Sequence, residues 1–432
     1  MKRYHLKMLF ALGAVAGLFF TITGTFALEA GAQEPPRQTL EDLIAIAIQN
    51  NPHVLAAKER WQSALHQIKQ NYAPVDPIFS YANIDSPDFP LYKSSLHTIQ
   101  VAQPLQFPGK ALFQADVAKR NADIARLAYE STVRDTRAQV EVGYYQIALD
   151  ASLRDITQAQ VALLRQVLKV TEVGYQGSQN TQSDVVAAQI SYTIASQQLE
   201  VYQLNAENDR TQLNMLLYRR PDEPLLVDYK LDEKPLVVPL DDLISRAAQT
   251  RQEILQAALS ERNSNTATTL AKMEYLPDYQ INYYFDDYLL ASAAPAINRP
   301  EDHSLVVAFN VPIYFWWHQR EDVQKSIHDL TAARYDLGSI KNQTAAAVTT
   351  LYRTAVMDYR QARQYHDSLI PTARIGFRVA LVAYENGKID FSQLQNAYQQ
   401  LYTVQVTYLQ FENQFLSQKV ALEQTVGSPL PN

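Results

Sequence analysis

The chain has 432 residues with only 12 Gly, 20 Pro and no Cys, which excludes collagen, a low-complexity chain and a disulfide-stapled mini-protein. The lack of Cys also removes every thiolate chemistry, from a Cys nucleophile to Cys-ligated zinc, iron–sulfur clusters and an acylated N-terminal Cys. A formal net charge of −7 without a long basic run argues against a nucleic-acid partner.

Residues 1–32 read as a secretory signal. Lys2, Arg3 and Lys7 precede an apolar run from Met8 to Phe20, and Ala30-Gly31-Ala32 supplies small residues for cleavage after Ala32, with Ala27 an earlier possibility. The run is shorter than the ~20 residues of a spanning helix, and no second long apolar run follows. A buried N-terminal helix or a retained anchor is the alternative. Cleavage leaves 35 basic and 44 acidic residues, a net charge of −9.

Prolines mark the organisation. None occurs between residues 109 and 220, and only Pro371 between 313 and 428, so two long helical blocks are expected, with Pro371 kinking the second. The two halves also match. Leu40-Glu41-Asp42-Leu43-Ile44 returns as Leu240-Asp241-Asp242-Leu243-Ile244, and Pro104-Leu105-Gln106-Phe107 is echoed by Pro312-Ile313-Tyr314-Phe315. This predicts a duplicated unit of helix, strand pair and long helical hairpin. The first copy spans 33–239, with strands at about 77–85 and 97–105, a hairpin at about 110–218 and a linker at 219–239. The second spans 240–432, with strands at about 278–286 and 303–313 and a hairpin at about 318–427.

Apolar residues recur every seven positions at Val185, Tyr192, Leu199, Ala206 and Leu213, and again at Leu394, Leu401, Tyr408, Phe415 and Leu422. Such a repeat keeps one stripe against a partner helix, as in a coiled coil. Val142, Leu149, Ile156, Leu163 and Val170 form a third candidate seam. Gly174-Tyr175-Gln176-Gly177-Ser178 and Tyr384-Glu385-Asn386-Gly387 interrupt the two hairpins, where Gly is expected to supply positive φ.

The four strand segments have the length of tilted transmembrane β-strands. In the third, Tyr279, Ile281, Tyr283 and Phe285 alternate with more polar neighbours; Tyr314, Phe315, Trp316 and Trp317 end the fourth as an interfacial aromatic belt would. Soluble hairpins packed on the helices are the competing reading, which would make the chain an exported periplasmic coiled-coil scaffold. Four strands cannot close a barrel, since single-chain barrels begin at about eight, whereas three subunits would supply 12.

These residues resemble the outer-membrane efflux protein family, the TolC-like channels. The resemblance spans nearly the whole mature chain and rests on Leu40 to Pro52, on Gln103 to Lys110, on both turns and on the duplication. The form of residues 103–110 is similar to outer-membrane components of heavy-metal export systems. The resemblance implies a homotrimer with a 12-stranded barrel in outer-membrane lipid above a periplasmic helical tunnel. It further implies that a periplasmic adaptor protein and an inner-membrane pump engage the hairpin tips, in a tripartite efflux or type I secretion system.

Carried over by position, the tips are Tyr175 to Asp184 and Tyr384 to Asn396, with Tyr175, Gly177, Tyr384 and Gly387 on the adaptor-contacting turns. Relatives carry an acidic constricting ring on the last helix. The matching positions here, Gln393 and Asn396, are uncharged, with Asp390 nearby. Asp184, Asp390, Gln393 and Asn396 are therefore the gate candidates, against the plainer reading of solvated helix-start residues. Tyr218 stands where the other copy has Gly427.

No catalytic constellation appears. The eight His residues are scattered, no GxSxG, HExxH or phosphate loop is present, and Asp241-Asp242 suits a helix first turn. No enzyme activity, cofactor or metal site is expected.

Overall fold

The computed structural model describes residues 38–84, 96–177, 181–225, 234–287 and 302–430. The expected signal segment, nearly all of both strand-tip loops, the middle of the linker and residues 178–180 of the first turn lie outside the described residues.

In chain order the elements are α1 (Leu40–Asn50), α2 (Pro52–Tyr72), β1 (Ile78–Ile84), β2 (Leu96–Leu105), α3 (Lys110–Gln176) and α4 (Gln182–Leu216). The same order then recurs as α5 (Leu240–Thr250), α6 (Gln252–Met273), β3 (Asp278–Asp287), β4 (Asp302–Asn310), α7 (Gln319–Gln364), α8 (Ile370–Glu385) and α9 (Phe391–Val426). A π-helical turn, Tyr365–Leu369, joins α7 to α8. Among the described residues the chain is mostly helical with one small antiparallel sheet. At 1.5 Å per residue the 67 residues of α3 reach about 100 Å.

Local chemistry sets the helix ends. Thr39 and Asp42 form a capping box at the start of α1, as Thr181 and Asp184 do for α4. Asn51 ends α1 and starts α2: its Oδ1 accepts from His53 N at 2.9 Å, and its Nδ2 donates to the Leu216 carbonyl at 3.1 Å. One side chain thereby satisfies an orphan donor of α2 and an orphan acceptor at the end of α4.

Two equivalent cores anchor the hairpins. Leu43, Ile44 and Ala47 of α1 pack on Val140, Tyr144 and Ile147 of α3 and on Leu213 of α4. Leu243 and Ala247 of α5 pack on Val348 of α7 and on Leu422 and Val426 of α9. Leu225 joins the first core, while Leu236 and Val238 pack on the second, so the segment read as a linker is held at both ends.

The α9 seam is largely buried, through Leu394, Leu401, Phe415 and Leu422. The expected α3 seam is not: Val142 and Val170 are exposed, and the buried stripe runs instead through Val140, Tyr144, Ile147, Ala151 and Leu164. The reason is that α3 packs on α1, α2, α4, α6 and α9, so apolar residues occupy several of its faces and a heptad count cannot single out one.

The sheet order is β1-β2-β3-β4. The register aligns Phe79, Val101, Tyr283 and Leu305 in one row and Tyr81, Ile99, Phe285 and His303 in the next. Because side chains alternate along each strand, these rows share one face. Fourth-strand Leu305, Val307 and Phe309 are exposed on it, as are Phe79, Ile99 and Tyr283. The opposite face carries an internally bonded polar ladder, with Ile78 and Val306 exposed beside it. Ser80 donates to Gln100 at 3.0 Å, Gln100 Nε2 to Asn282 Oδ1 at 3.1 Å, and Thr98 to Asp286 at 2.6 Å.

Candidate functional site

Three places carry the residues singled out above: the two hairpin tips, the sheet, and the aromatic turn after it.

At the second tip, α8 ends in a Schellman motif. Gly387, at φ 68°, donates to the Tyr384 carbonyl at 2.9 Å, and Lys388 N donates to that of Ala383 at 2.9 Å. Asn386 Nδ2 adds a bond to the Val382 carbonyl at 2.7 Å. The first tip differs from expectation. Gly177 caps α3 at φ −86°, not in the left-handed region, and a Cβ there would meet only backbone oxygens at 3.7 Å. The helix ends there by a bond from Gly177 N to the Val173 carbonyl at 3.1 Å, which any residue can make.

Asp390 is the N-cap of α9. Its Oδ1 accepts from Gln393 N and from Ser392 Oγ, both at 2.9 Å, and the Gln393 bond, followed by the Ser392 bond, holds its carboxyl below the usual range. Asp184 accepts from Thr181 N and Oγ1 at 2.9 and 2.8 Å. Both acids thus have helix-start duties. Gln393 and Asn396 are exposed one turn apart on α9, past Asp390, while Asp184 is half-buried. Asp184 and Asp390 share a groove of about 1020 Å³ between the tips with Val173, Tyr384, Ile389 and Phe391. Tyr384 lies at its edge with its hydroxyl 3.5 Å from that of Thr171, whereas Tyr175 is exposed.

The aromatic residues do not end β4, which stops at Asn310. Tyr314, Phe315, Trp316 and Trp317 occupy the turn leading to α7, because Pro312 removes a strand donor just after the last ladder residue. All four are exposed and packed on one another, Tyr314 stacking on Trp317 at 5.9 Å and Phe315 meeting Trp316 edge-on at 5.0 Å. Two further features, at separate places along α3, carry no signal in local sequence. Lys110 is buried at the strand–helix junction, with Nζ 3.3 Å from Glu274 and 3.0 Å from Asp278. A buried Asp150 faces Asp209 between α3 and α4.

Among the described residues no helix is long and apolar enough to cross a membrane, and no three His, Asp or Glu side chains converge as metal ligands would. The described residues present an apolar sheet face, a polar ladder on the other face, and two capped tips.

The comparisons with known proteins follow the same lines. The chain superposes on the outer-membrane channel OprN with a TM-score of 0.76 at 15% identity, covering 90% of each chain. Against VceC of Vibrio cholerae the TM-score is 0.75 at 14% identity, covering 91% of this chain and 97% of that one. Against the CmeC outer-membrane channel of Campylobacter jejuni it is 0.73 at 14% identity, covering 90% and 85%. At such identities these likenesses concern the fold. No curated protein sequence matches. The sequence profile described as Outer membrane efflux protein matches twice, at residues 43–217 and 243–428, once per copy of the duplicated unit. This is a family of transport proteins and not of enzymes. With both copies matched over most of the chain, the protein belongs to the outer membrane efflux protein family.

Proposed function

We propose that three copies of the chain form a passive duct through the outer membrane, extending into the periplasm as a helical tunnel. The observation that carries this reading is the sheet. One face is apolar and exposed, the other carries a hydrogen-bonded polar ladder, and β1 and β4 each have a free edge in the described sheet. Apolar-out and polar-in is the arrangement of a membrane barrel, and closing the edges between copies yields 12 strands. The Tyr314–Trp317 cluster suits the lipid–water boundary, where aromatic rings settle.

The helices favour the same assembly. Val186, Ile190, Ile194, Val201 and Leu204 leave an exposed apolar stripe along α4, and Ile375, Val379 and Val382 leave another on α8. Packing between copies would bury both. The tips would then meet a periplasmic adaptor and an inner-membrane pump, which supplies the energy; the duct itself hydrolyses nothing.

The test is the protein mass of the oligomer, measured by light scattering after mild detergent extraction of the outer-membrane fraction. A trimeric mass is expected. A monomer released without detergent would overturn the duct and leave a periplasmic coiled-coil scaffold.

A further inference from the structure

The first hairpin buries a carboxyl that meets no cation. Asp150 of α3 is 3% exposed, and its Oδ2 has no hydrogen-bond donor within reach. What does reach it is a second carboxyl, since Asp209 of α4 hydrogen-bonds to the Asp150 side chain. Two ionised carboxylates repel, so a hydrogen bond between them requires that one of them keep its proton.

The surroundings offer no alternative neutraliser. From α4 the Tyr202 hydroxyl lies near enough to feel the Asp150 charge but bonds to Tyr402 and Gln198, and burial pushes it up to about 12. From α9 comes Tyr402, bonded to Tyr202 and lying 3.2 Å from Thr157 of α3. One turn along α3, Arg154 is engaged by Asp155 at 2.8 Å. From α1, Glu41 is paired with Arg137 and Asp42 serves the Thr39 cap. Only burial and Asp209 act on Asp150.

We propose that Asp150 and Asp209 hold one proton between them at neutral pH, and that its loss loosens α3 from α4, making the first hairpin responsive to the pH around it. Burial first, and Asp209 second, lift Asp150 from 3.8 to about 7, which places the titration of the pair in the periplasmic range. The device belongs to one copy of the unit. Asp358 of α7 stands 208 residues after Asp150 and is also raised by burial, but the place matching Asp209 in the α9 heptads is Gln418.

The sign follows from linkage. The closed hairpin holds its proton up to about pH 7, whereas the opened chain releases it near 3.8, so opening becomes easier as pH rises between the two values and levels off above the upper one. Amide hydrogen exchange of the intact, detergent-extracted protein reads this directly.

After correction for intrinsic rates, opening of segments 146–154 and 205–213 should rise by up to about tenfold per pH unit between about pH 5 and 7. In Asp150→Asn, where the amide donates in place of the shared proton, the same segments should show a flat profile, and likewise in Asp209→Asn. A flat wild-type profile, or a slope retained in both variants, overturns the proposal. Infrared spectra of the wild type give a test that needs no variant: absence of a protonated carboxyl band at about pH 6 overturns it equally.

Discussion

The ammonium of Lys110 lies 3.0 and 3.1 Å from the two carboxylate oxygens of Asp278, tying the first residue of α3 to the first residue of β3. Asp278 Oδ1 also accepts from Phe107 N at 2.7 Å, and Glu274, at the end of α6, is 3.3 Å from the same ammonium. The strand-to-helix junction of one copy is thereby locked to the helix-to-strand junction of the other. Burial is lopsided: Lys110 is 2% exposed, while Glu274 and Asp278 are 49% and 36% exposed. Removing Asp278 therefore leaves the buried cation with Glu274 alone and the Phe107 amide without its acceptor, whereas removing the cation leaves acids that water can reach. Asp278→Ala should destabilise by about 3 kcal/mol and Lys110→Met by about 1 kcal/mol, read as denaturant midpoints of the extracted protein. Equal losses would mean that the lock acts through packing alone.

A second asymmetry separates the ends of the two hairpins. Tyr218 adopts φ 55° and, with Arg219, completes a Schellman motif by bonds to Met215 and Asn214 at 3.1 and 2.9 Å. Gly427 takes the matching place at φ 83°, but there a Cβ would stand 2.8 Å from Arg251 Cα and 3.0 Å from the Thr250 carbonyl. Tyr218 is 68% exposed, so its ring contributes little to set against the left-handed strain. Tyr218→Gly is expected to stabilise by up to about 1 kcal/mol, and Gly427→Ala to destabilise by 2 kcal/mol or more (about that order), because strain and a backbone clash add. Thermal midpoints of both variants check the opposite signs.

Acid should weaken the contact between the copies at Arg134 and Glu253, which are 2.6 Å apart across α3 and α6. Burial pushes the Glu253 carboxyl up, but the bonds from Arg134 outweigh it and hold the group at about 2. A depressed carboxyl contributes stability above its ordinary 4.5 and loses it as pH falls towards 2. Since Glu253 is a third exposed, solvent screening reduces the contribution to about 1–2 kcal/mol. Glu253→Gln should remove this share of the acid sensitivity, seen as a shallower loss of thermal midpoint between about pH 5 and 3. An unchanged acid profile would assign the sensitivity elsewhere.

Much of this architecture is legible in residue order, and the rest is hidden for physical reasons. Long Pro-free stretches and the α9 heptads mark helices because propensity and seam agree there. The third and fourth strands are readable from alternation, the first two less so because their pattern is less regular, and the place of Tyr218 follows from its match to Gly427. The α3 seam is misread because five elements pack on that helix. Gly177 misleads because composition cannot show that a glycine has taken an ordinary φ. Lys110 and Asp150 are invisible in sequence since their partners, Asp278 and Asp209, lie 168 and 59 residues away.

At the second tip the structure separates two roles for one acid. Asp390 caps α9 through its bond to Gln393 N, a duty that Asn performs equally well. Under the trimer reading it also contributes to a polar ring with Gln393 and Asn396. Asp390→Asn should keep the helix start while lowering cation preference in single-channel recordings; Asp390→Ala should additionally fray the start of α9. Unchanged selectivity in Asp390→Asn would leave the acid with capping alone, and Gln393→Ala would then test whether any ring lies at this level.

The π turn before Pro371 has an origin in the duplication. Tyr144 and Asp150 correspond to Tyr352 and Asp358 at a spacing of 208, whereas Val173 and Tyr175 correspond to Val382 and Tyr384 at 209. One extra residue has therefore entered the second hairpin between these points, and the turn Tyr365–Leu369 absorbs it, with Ile370 N donating to the Tyr365 carbonyl five residues back. Pro371, second in α8, lacks a donor and would press on the carbonyl four residues earlier in a regular helix; the wider turn relieves that pressure. The turn is thus a consequence of register, with proline fitted to it. Pro371→Ala alone should leave the π hydrogen bond in place, while deletion of Ser368 in the Pro371→Ala background should restore a continuous helix like α3. If the turn is where the second hairpin bends during gating, the deletion will change single-channel conductance and Pro371→Ala will not. Loss of the π turn in Pro371→Ala, seen in a crystal structure of the variant, would reverse this order of cause.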